Sequence, residues 1–326
     1  MEYVYINGTD LKCSRIGLGT WAIGGWLWGG SDEKQSINTI LSSFEKGINL
    51  IDTAPVYGFG VSEEIVGKAV SEYGSRDKVI ISTKVGLNWK DGKVFRDSSH
   101  KRIYEETYLS LKRLKTDYID IYQVHWPDCT TPFQETAEAL MKLYQKGIIR
   151  AIGVSNYTPS QMDQFRQAAP IHINQPPYNL FEKDIELDIF PYCNQNNITM
   201  LLYGALCRGL LSGRMKSDTK FEGDDIRKFD PKFAEKRYGQ YLHAVEILDI
   251  YANTNFKKNV IQLAIRWVLD KASSHISLWG VRSPEQLDPI DEIFNWKLSD
   301  LEIKEIENIV KNIVTDGVGP EFMAPP

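Results

Sequence analysis

The chain has 326 residues, 42% of them hydrophobic, with 38 basic against 43 acidic residues and a formal net charge of -5. That is enough apolar material for a large core, and one α/β barrel of roughly 250 residues plus insertions accounts for the length, so a single domain over 1–326 is expected. The interspersed charges offer no basic stripe to nucleic acid or lipid, and no segment reaches the ~20 apolar residues of a membrane span, so neither partner is expected.

Tyr3-Val4-Tyr5 alternates into Asn7-Gly8 and predicts a short hairpin, without the charged and apolar regions of a leader peptide. A cytoplasmic location is the expectation. Buried-strand patterns then recur at 14–19, 49–53, 78–85, 118–125, 150–155, 172–175, 198–203 and 275–280. Helical patterns separate them, for example at 63–73, 103–114, 133–146 and 159–168, several opened by Ser, Thr or Pro. Eight such units predict a (β/α)8 barrel, with an N-terminal hairpin, a long loop after the seventh strand and an extra C-terminal helix.

The irregular stretch at 207–238 is that long loop. It exceeds the ~12–15 residues beyond which loops usually serve a function, and it is expected to act as a flap over the active face. Cys13, Cys129, Cys193 and Cys207 form no C-x-x-C pair and read as reduced structural thiols. His100, His172, His243 and His275 are dispersed, so no metal site is expected.

Gly17-Leu18-Gly19-Thr20-Trp21-Ala22 fits the dinucleotide fingerprint G-x-G-x-x-A, which counts only when a helix follows at once. The residues that follow, Ile23 to Gly30, are a glycine and tryptophan run that propagates a helix poorly. It is better read as a loop at a barrel mouth, with Trp21, Trp26 and Trp28 either walling a ligand or plugging the loop against the barrel.

Four residues at strand ends carry chemistry. Asp52 closes a buried strand and needs a partner, for which Lys84 is the natural candidate; alone, the two read equally as a structural ion pair. Tyr57 lies five residues beyond Asp52 in a turn, within reach of the lysine, whose ammonium is expected to lower the phenol pKa and make it a proton donor. His125 closes another strand and either orients a carbonyl oxygen or is a satisfied core residue.

These residues sit in Gly17-Leu18-Gly19-Thr20-Trp21, Asp52-Thr53-Ala54-Pro55-Val56-Tyr57-Gly58, Ser82-Thr83-Lys84 and Gly153-Val154-Ser155-Asn156. With Leu109 to Leu114, Asp117 to Asp120, Gln175 and Tyr178-Asn179, they resemble the aldo-keto reductase superfamily over essentially the whole chain. Within it the chain looks closest to bacterial NADP-dependent reductases of short aldehydes and sugar-like carbonyls.

The resemblance implies an extended nicotinamide dinucleotide and hydride transfer to a carbonyl, with Tyr57 as general acid, Lys84 its partner, Asp52 the anchor and His125 the orienting donor. It also implies cofactor contacts from Gly19, Thr20, Trp21 and Asp52. Ser155, Asn156 and Gln175 would hold the carboxamide, and Tyr203 would stack on the ring. Gly204, Ala205, Leu206, Leu211, Ser212 and Arg214 would line the pyrophosphate.

At Gly280 to Leu287 a strand end runs into a helix start, where free N–H groups and a guanidinium suit a phosphate. Arg282 and Ser283, with Gln286 nearby, are the 2′-phosphate candidates, favouring NADP(H) over NAD(H), which would bind at lower affinity. The sequence departs from the family where Ile290 replaces an asparagine, moving the adenine contact to Asp291, and at Cys207-Arg208, where Arg208 is expected to touch phosphate or substrate. Trp21, Trp28, Tyr57, Trp89, His125 and Trp126 are the expected substrate walls, for a small-molecule carbonyl bound by a monomer. The apolar tail at 319–326 either covers the barrel mouth or is disordered.

Two rivals remain from the sequence. One is a cofactor-sensing subunit like the channel-associated members of the superfamily, against which no added N-terminal docking segment is seen. The other is a Schiff-base barrel lyase using Lys84, which requires a lysine without a fixed carboxylate partner.

Overall fold

The chain begins with an antiparallel hairpin of β1 (Tyr3–Tyr5) and β2 (Lys12–Ser14), joined by a longer connection than the tight Asn7-Gly8 turn read from sequence. Gly8 still supplies the left-handed residue of that connection, at φ 77°. The computed structural model describes residues 1–326.

Eight parallel strands follow and close into one barrel. They are β3 (Ile16–Gly19), β4 (Leu50–Asp52), β5 (Ile80–Val85), and, after a second hairpin of β6 (Leu87–Lys90) and β7 (Lys93–Arg96), β8 (Ile121–Val124), β9 (Ile152–Ser155), β10 (Ile173–Gln175), β11 (Thr199–Leu202) and β12 (Ile276–Gly280). All eight predicted strands are present, shorter at their ends than the sequence patterns suggest. The helices α1 (Glu33–Glu45), α2 (Val61–Tyr73), α3 (His100–Leu114), α4 (Phe133–Gln145), α5 (Pro159–Phe165), α6 (Ile189–Gln195), α7 (Glu235–Phe256), α8 (Val260–Lys271) and α9 (Asp300–Ile313) accompany the sheet. This is the (β/α)8 architecture expected from the alternation. None of these helices is long and apolar enough to cross a membrane.

Strand alternation sorts the interior into layers. Leu50, Ile80, Ile121, Ala151, Ile173 and Leu201 fill the lower barrel, and Ile6, Leu11 and Cys13 from the hairpin close its floor. The opposite faces of the same strands, such as Ile81 and Val85 of β5, join the larger core beneath the helices. Polar inward positions lie higher: Asp52 on β4, Ser82 and Lys84 on β5, Gln123 on β8 and Gln175 on β10.

The second hairpin was missed in the sequence reading although Asp91-Gly92 is a strong two-residue turn signal, with φ 52° and 75°. The 207–238 stretch is partly ordered into short 3-10 turns at Cys207–Ser212, Ile226–Lys228 and Pro231–Phe233, and α7 already begins at Glu235. Residues after β12 run into the expected helix start, which takes the form of a 3-10 stretch, Pro284–Glu292.

Candidate active site

Parallel pairing sets Asp52 opposite Ser82 and Lys84 opposite Gln123, so the ends of β4, β5 and β8 deliver their polar groups to one place. The fully buried Lys84 Nζ donates to Asp52 Oδ2 over 2.6 Å and to the Thr53 carbonyl over 2.9 Å, and stands 3.4 Å from the Tyr57 hydroxyl. His125 meets the Tyr57 ring edge-on, with centroids 5.6 Å apart. The structure therefore brings together all four residues singled out by sequence.

Tyr57 is aimed by backbone contact with the tryptophan loop. A Cβ on Gly24 would fall 2.6 Å from the Tyr57 carbonyl, and one on Gly58, at φ 68°, would fall 2.1 Å from the Gly24 carbonyl oxygen. Only glycine lets the two segments approach so closely. Hydroxyls of Thr20, Ser62 and Thr53 bridge β3, α2 and β4 just behind, at 2.7 and 2.8 Å.

Burial and the Asp52 carboxylate raise the Tyr57 phenol pKa well above its usual value. This corrects the expectation of a phenol drawn below its usual value: burial first, and then the Asp52 charge, outweigh the lowering by the ammonium. Burial lowers the Lys84 pKa while Asp52 opposes the change. Burial, then the Lys84 charge, hold His125 well below the usual imidazole range, so it is neutral at pH 7.

These groups open into a cavity of about 910 Å³. Its walls near the phenol are Trp21, Trp28, Trp126 and His125, with Trp21 stacked on Tyr57 at 6.0 Å and set edge-on to Trp28 at 5.5 Å. Trp26, Leu87, Lys93 and Val94 also line it, none of them assigned as walls from sequence apart from Trp26. Trp89 does not line it; its ring packs on Phe59 at 5.4 Å with the Arg102 guanidinium above at 5.5 Å. The β6–β7 hairpin sets that orientation.

Farther along the cavity lie Gly19, Thr20, Ser155, Asn156, Gln175 and Tyr203, then Gly204, Ala205, Leu206 and Ser212. The Asn156 amide is already engaged, donating to the His125 carbonyl at 3.1 Å and Ser155 Oγ at 2.9 Å and accepting from the Tyr203 hydroxyl at 2.9 Å. Gln175 Nε2 donates to Asp52 Oδ1 at 2.9 Å. Leu211 is excluded from the lining and is fully buried in the core.

The far end carries Arg214, Lys220, Arg227, Gly280, Arg282 and Gln286. Arg227 is paired with Asp225 at 2.5 Å, whereas Arg214, Lys220 and Arg282 make no salt bridge, so their charge is available to an anion. Gln286 Oε1 accepts from the Arg282 backbone N–H at 2.8 Å. The adenine contact expected at Asp291 fails here, and position 290 offers none in its place. Ile290 is buried in the core, and Asp291 sits on the outer surface in an ion pair with Lys46 at 2.5 Å, outside the cavity.

Arg208 lines the cavity, but its charge is spent on Glu182 and Asp230, both at 2.5 Å, rather than left free for a phosphate. Its guanidinium also lies 5.5 Å from the Phe322 ring, and Lys232, bonded to Glu182 at 2.7 Å, donates to the Gly319 carbonyl at 3.0 Å. From the other side Arg96 donates to the Pro325 carbonyl at 3.1 and 2.6 Å. The tail thus covers the barrel mouth and places Met323, Pro325 and Pro326 on the cavity wall.

The flap closes the same cavity: Asp224 accepts from the N–H groups of Leu27 and Gly29 at 2.7 and 3.1 Å. Met215, Phe221 and Ile226 of the flap line it and were not assigned from sequence.

Residues 15–311 match the model of the Aldo/keto reductase family. The chain belongs to that family. As a family member it falls among oxidoreductases that interconvert carbonyls and alcohols with a nicotinamide cofactor. It is 57% identical over 326 residues to the aldo-keto reductase YhdN of Bacillus subtilis (strain 168), covering 100% of this chain and 98% of that protein. It is 34% identical over 320 residues to the NADH-specific methylglyoxal reductase of Escherichia coli (strain K12), with 92% and 95% covered. The structure of the glycerol dehydrogenase AKR11B4 from Gluconobacter oxydans superposes with a TM-score of 0.89 at 49% identity, covering 99% of both chains.

Proposed function

We propose that this aldo-keto reductase is an NADPH-dependent reductase of small carbonyls in which Tyr57 delivers the proton. The observation that carries the proposal is one cavity with two unlike ends: a phenol 3.4 Å from a buried ammonium among aromatic walls, and Arg214, Lys220 and Arg282 free of carboxylate partners at the other. A dinucleotide has that same polarity, an uncharged ring at one end and phosphates along its length, so the donor set fits the cofactor. The guanidinium of Arg282 and the N–H groups of the following turn suit the 2′-phosphate. One relative is named NADH-specific, so the nucleotide preference of this chain needs its own test.

A bound reduced nicotinamide supplies the hydride. The chain's own residues do the rest. Neutral His125 has an N–H to orient the carbonyl oxygen, and the aromatic walls exclude water around the reacting carbon. As negative charge develops on that oxygen, the Tyr57 O–H transfers its proton there, a step worth about 10²–10⁴ in rate. Lys84 stabilises the phenolate left behind, Asp52 keeps Lys84 in place, and the phenolate regains its proton from solvent. Because burial holds Tyr57 protonated, it enters the cycle in the form reduction requires.

The wall geometry favours compact, oxygen-bearing substrates, in keeping with the methylglyoxal and glycerol in the names of two similar proteins. Lys84, fixed on Asp52, lacks the freedom of a Schiff-base lysine, which weighs against a lyase. A cytoplasmic monomer remains the working expectation. Quenching of tryptophan fluorescence by NADPH and NADH tests the cofactor site: saturable, tighter NADPH binding supports it, and no response to either nucleotide counts against it.

A further inference from the structure

Between the apolar floor of the barrel and the reactive groups lies a buried polar layer made of Asp52, Ser82, Gln123 and Gln175, none more than 3% exposed. Asp52 Oδ1 accepts from Ser82 Oγ at 2.9 Å, from Gln175 Nε2 at 2.9 Å and from Gln123 Nε2 at 3.4 Å. Gln123 Nε2 also donates to Ser82 Oγ at 2.8 Å, joining the two residues into one support. The other carboxylate oxygen is left to Lys84.

Packing alone does not account for Gln123. Barrel interiors are usually filled by branched aliphatic residues, and a buried amide oxygen without a partner costs about 1–3 kcal/mol. Gln123 Oε1 has no protein partner, so this position keeps an expensive amide whose nitrogen faces Ser82 and Asp52. The neighbouring strand makes room for it: a Cβ on Gly153 would fall 2.7 Å from Gln123 Cγ.

We propose that Gln123 and Ser82 are positioning residues for the reaction: by holding Asp52 Oδ1 they fix Oδ2 on Lys84 and, through Lys84, set the distance from the ammonium to the Tyr57 hydroxyl. Neither touches the cavity; both act through Asp52. With that support removed, Gln175 alone holds Oδ1, the carboxylate can turn, Lys84 follows it, and the phenolate loses part of its stabilising charge. The titratable groups facing Asp52 and Lys84 are Tyr57 and His125, with Tyr203 after β11 acting on Tyr57, while Glu63 of α2 acts on Lys84 from outside the barrel.

The inference rests on the reductase reading, so wild-type turnover of NADPH with a small aldehyde is measured first; its absence defeats that reading itself. Given turnover, Gln123→Leu is expected to lower kcat on the order of tenfold to a hundredfold while the carbonyl KM and the NADPH dissociation constant stay within about twofold. The rising limb of the alcohol-oxidation pH profile is expected to move up by about one pH unit, because a phenol farther from the ammonium ionises later. Ser82→Ala is expected to give the same pattern and stands in if Gln123→Leu does not fold, and Ser82→Thr, which keeps the hydroxyl, is expected to retain the wild-type profile. Unchanged kcat in a folded variant, or a fall that tracks lost thermal stability with an unmoved pH profile, overturns the inference and leaves the reductase reading intact.

Discussion

Arg282 donates to the Trp28 carbonyl and to the Gly30 carbonyl, each over 2.7 Å, tying the end of the last barrel strand to the tryptophan loop across the cavity. Carbonyls leave a guanidinium's charge uncompensated, so the same side chain can hold the loop and attract a phosphate. Arg282→Ala is therefore expected to weaken NADPH binding about tenfold to a hundredfold and NADH binding only a few-fold, the smaller loss coming from the loosened loop. Isothermal titration with both nucleotides checks this, and equal losses would remove the 2′-phosphate assignment.

Lys84→Met leaves Asp52 as an unpaired buried charge, a change that typically costs about 3–5 kcal/mol. Turnover is expected to fall roughly a thousandfold in the protein that remains folded. Urea denaturation run beside steady-state kinetics separates the two effects. Large destabilisation with near-normal kcat would make the Lys84–Asp52 pair structural only.

Arg96 reaches the tail through the Pro325 carbonyl and lies 5.6 Å from the ring of Trp126, another wall of the cavity. Arg96→Ala is expected to free the wall formed by Met323 and Pro325, raising KM for a small aldehyde several-fold, about 1 kcal/mol, with NADPH affinity unchanged. Kinetics against aldehydes of increasing length test this. A KM pattern identical to wild type would show that the tail does not shape the pocket.

Stability should fall on mild acidification. Burial lowers the pKa of His125, His172 and His275, the last to about 4, whereas an unfolded histidine titrates near 6.5. Between those values the unfolded chain binds more protons, so folding weakens as pH drops below about 6.5, by at most about 1.4 kcal/mol per pH unit for each histidine. Carboxylates held low by partners, such as Glu182, add their loss only in stronger acid. The urea midpoint is expected to be lower at pH 5.5 than at pH 7.5, to within about half a unit of those values; a flat or rising midpoint contradicts the account.

The barrel was legible because its strands are short, apolar and evenly separated by amphipathic helices, and because Asp52, Lys84 and His125 mark strand ends. Long-range packing hid the remainder. Nothing local shows that Arg208 is consumed by Glu182 and Asp230, that Asp291 faces Lys46 on the outside, or that Trp89 turns towards Phe59. The phenol's pKa direction was misread for the same reason, since a lysine in sequence carries a charge whose compensation only the fold reveals. By contrast, the Asp91-Gly92 turn was available locally, and reading it would have pointed to the hairpin that brings Lys93 and Val94 to the cavity.

The most direct test of the central claim compares wild type with Tyr57→Phe in two readings on the same preparations: NADPH affinity from tryptophan quenching, and NADPH consumption with a small aldehyde. The account predicts nearly equal affinities and a loss of turnover of at least about a hundredfold in the variant, because only the proton donor is missing. Turnover close to wild type in Tyr57→Phe would contradict it and place the proton source elsewhere in the cavity.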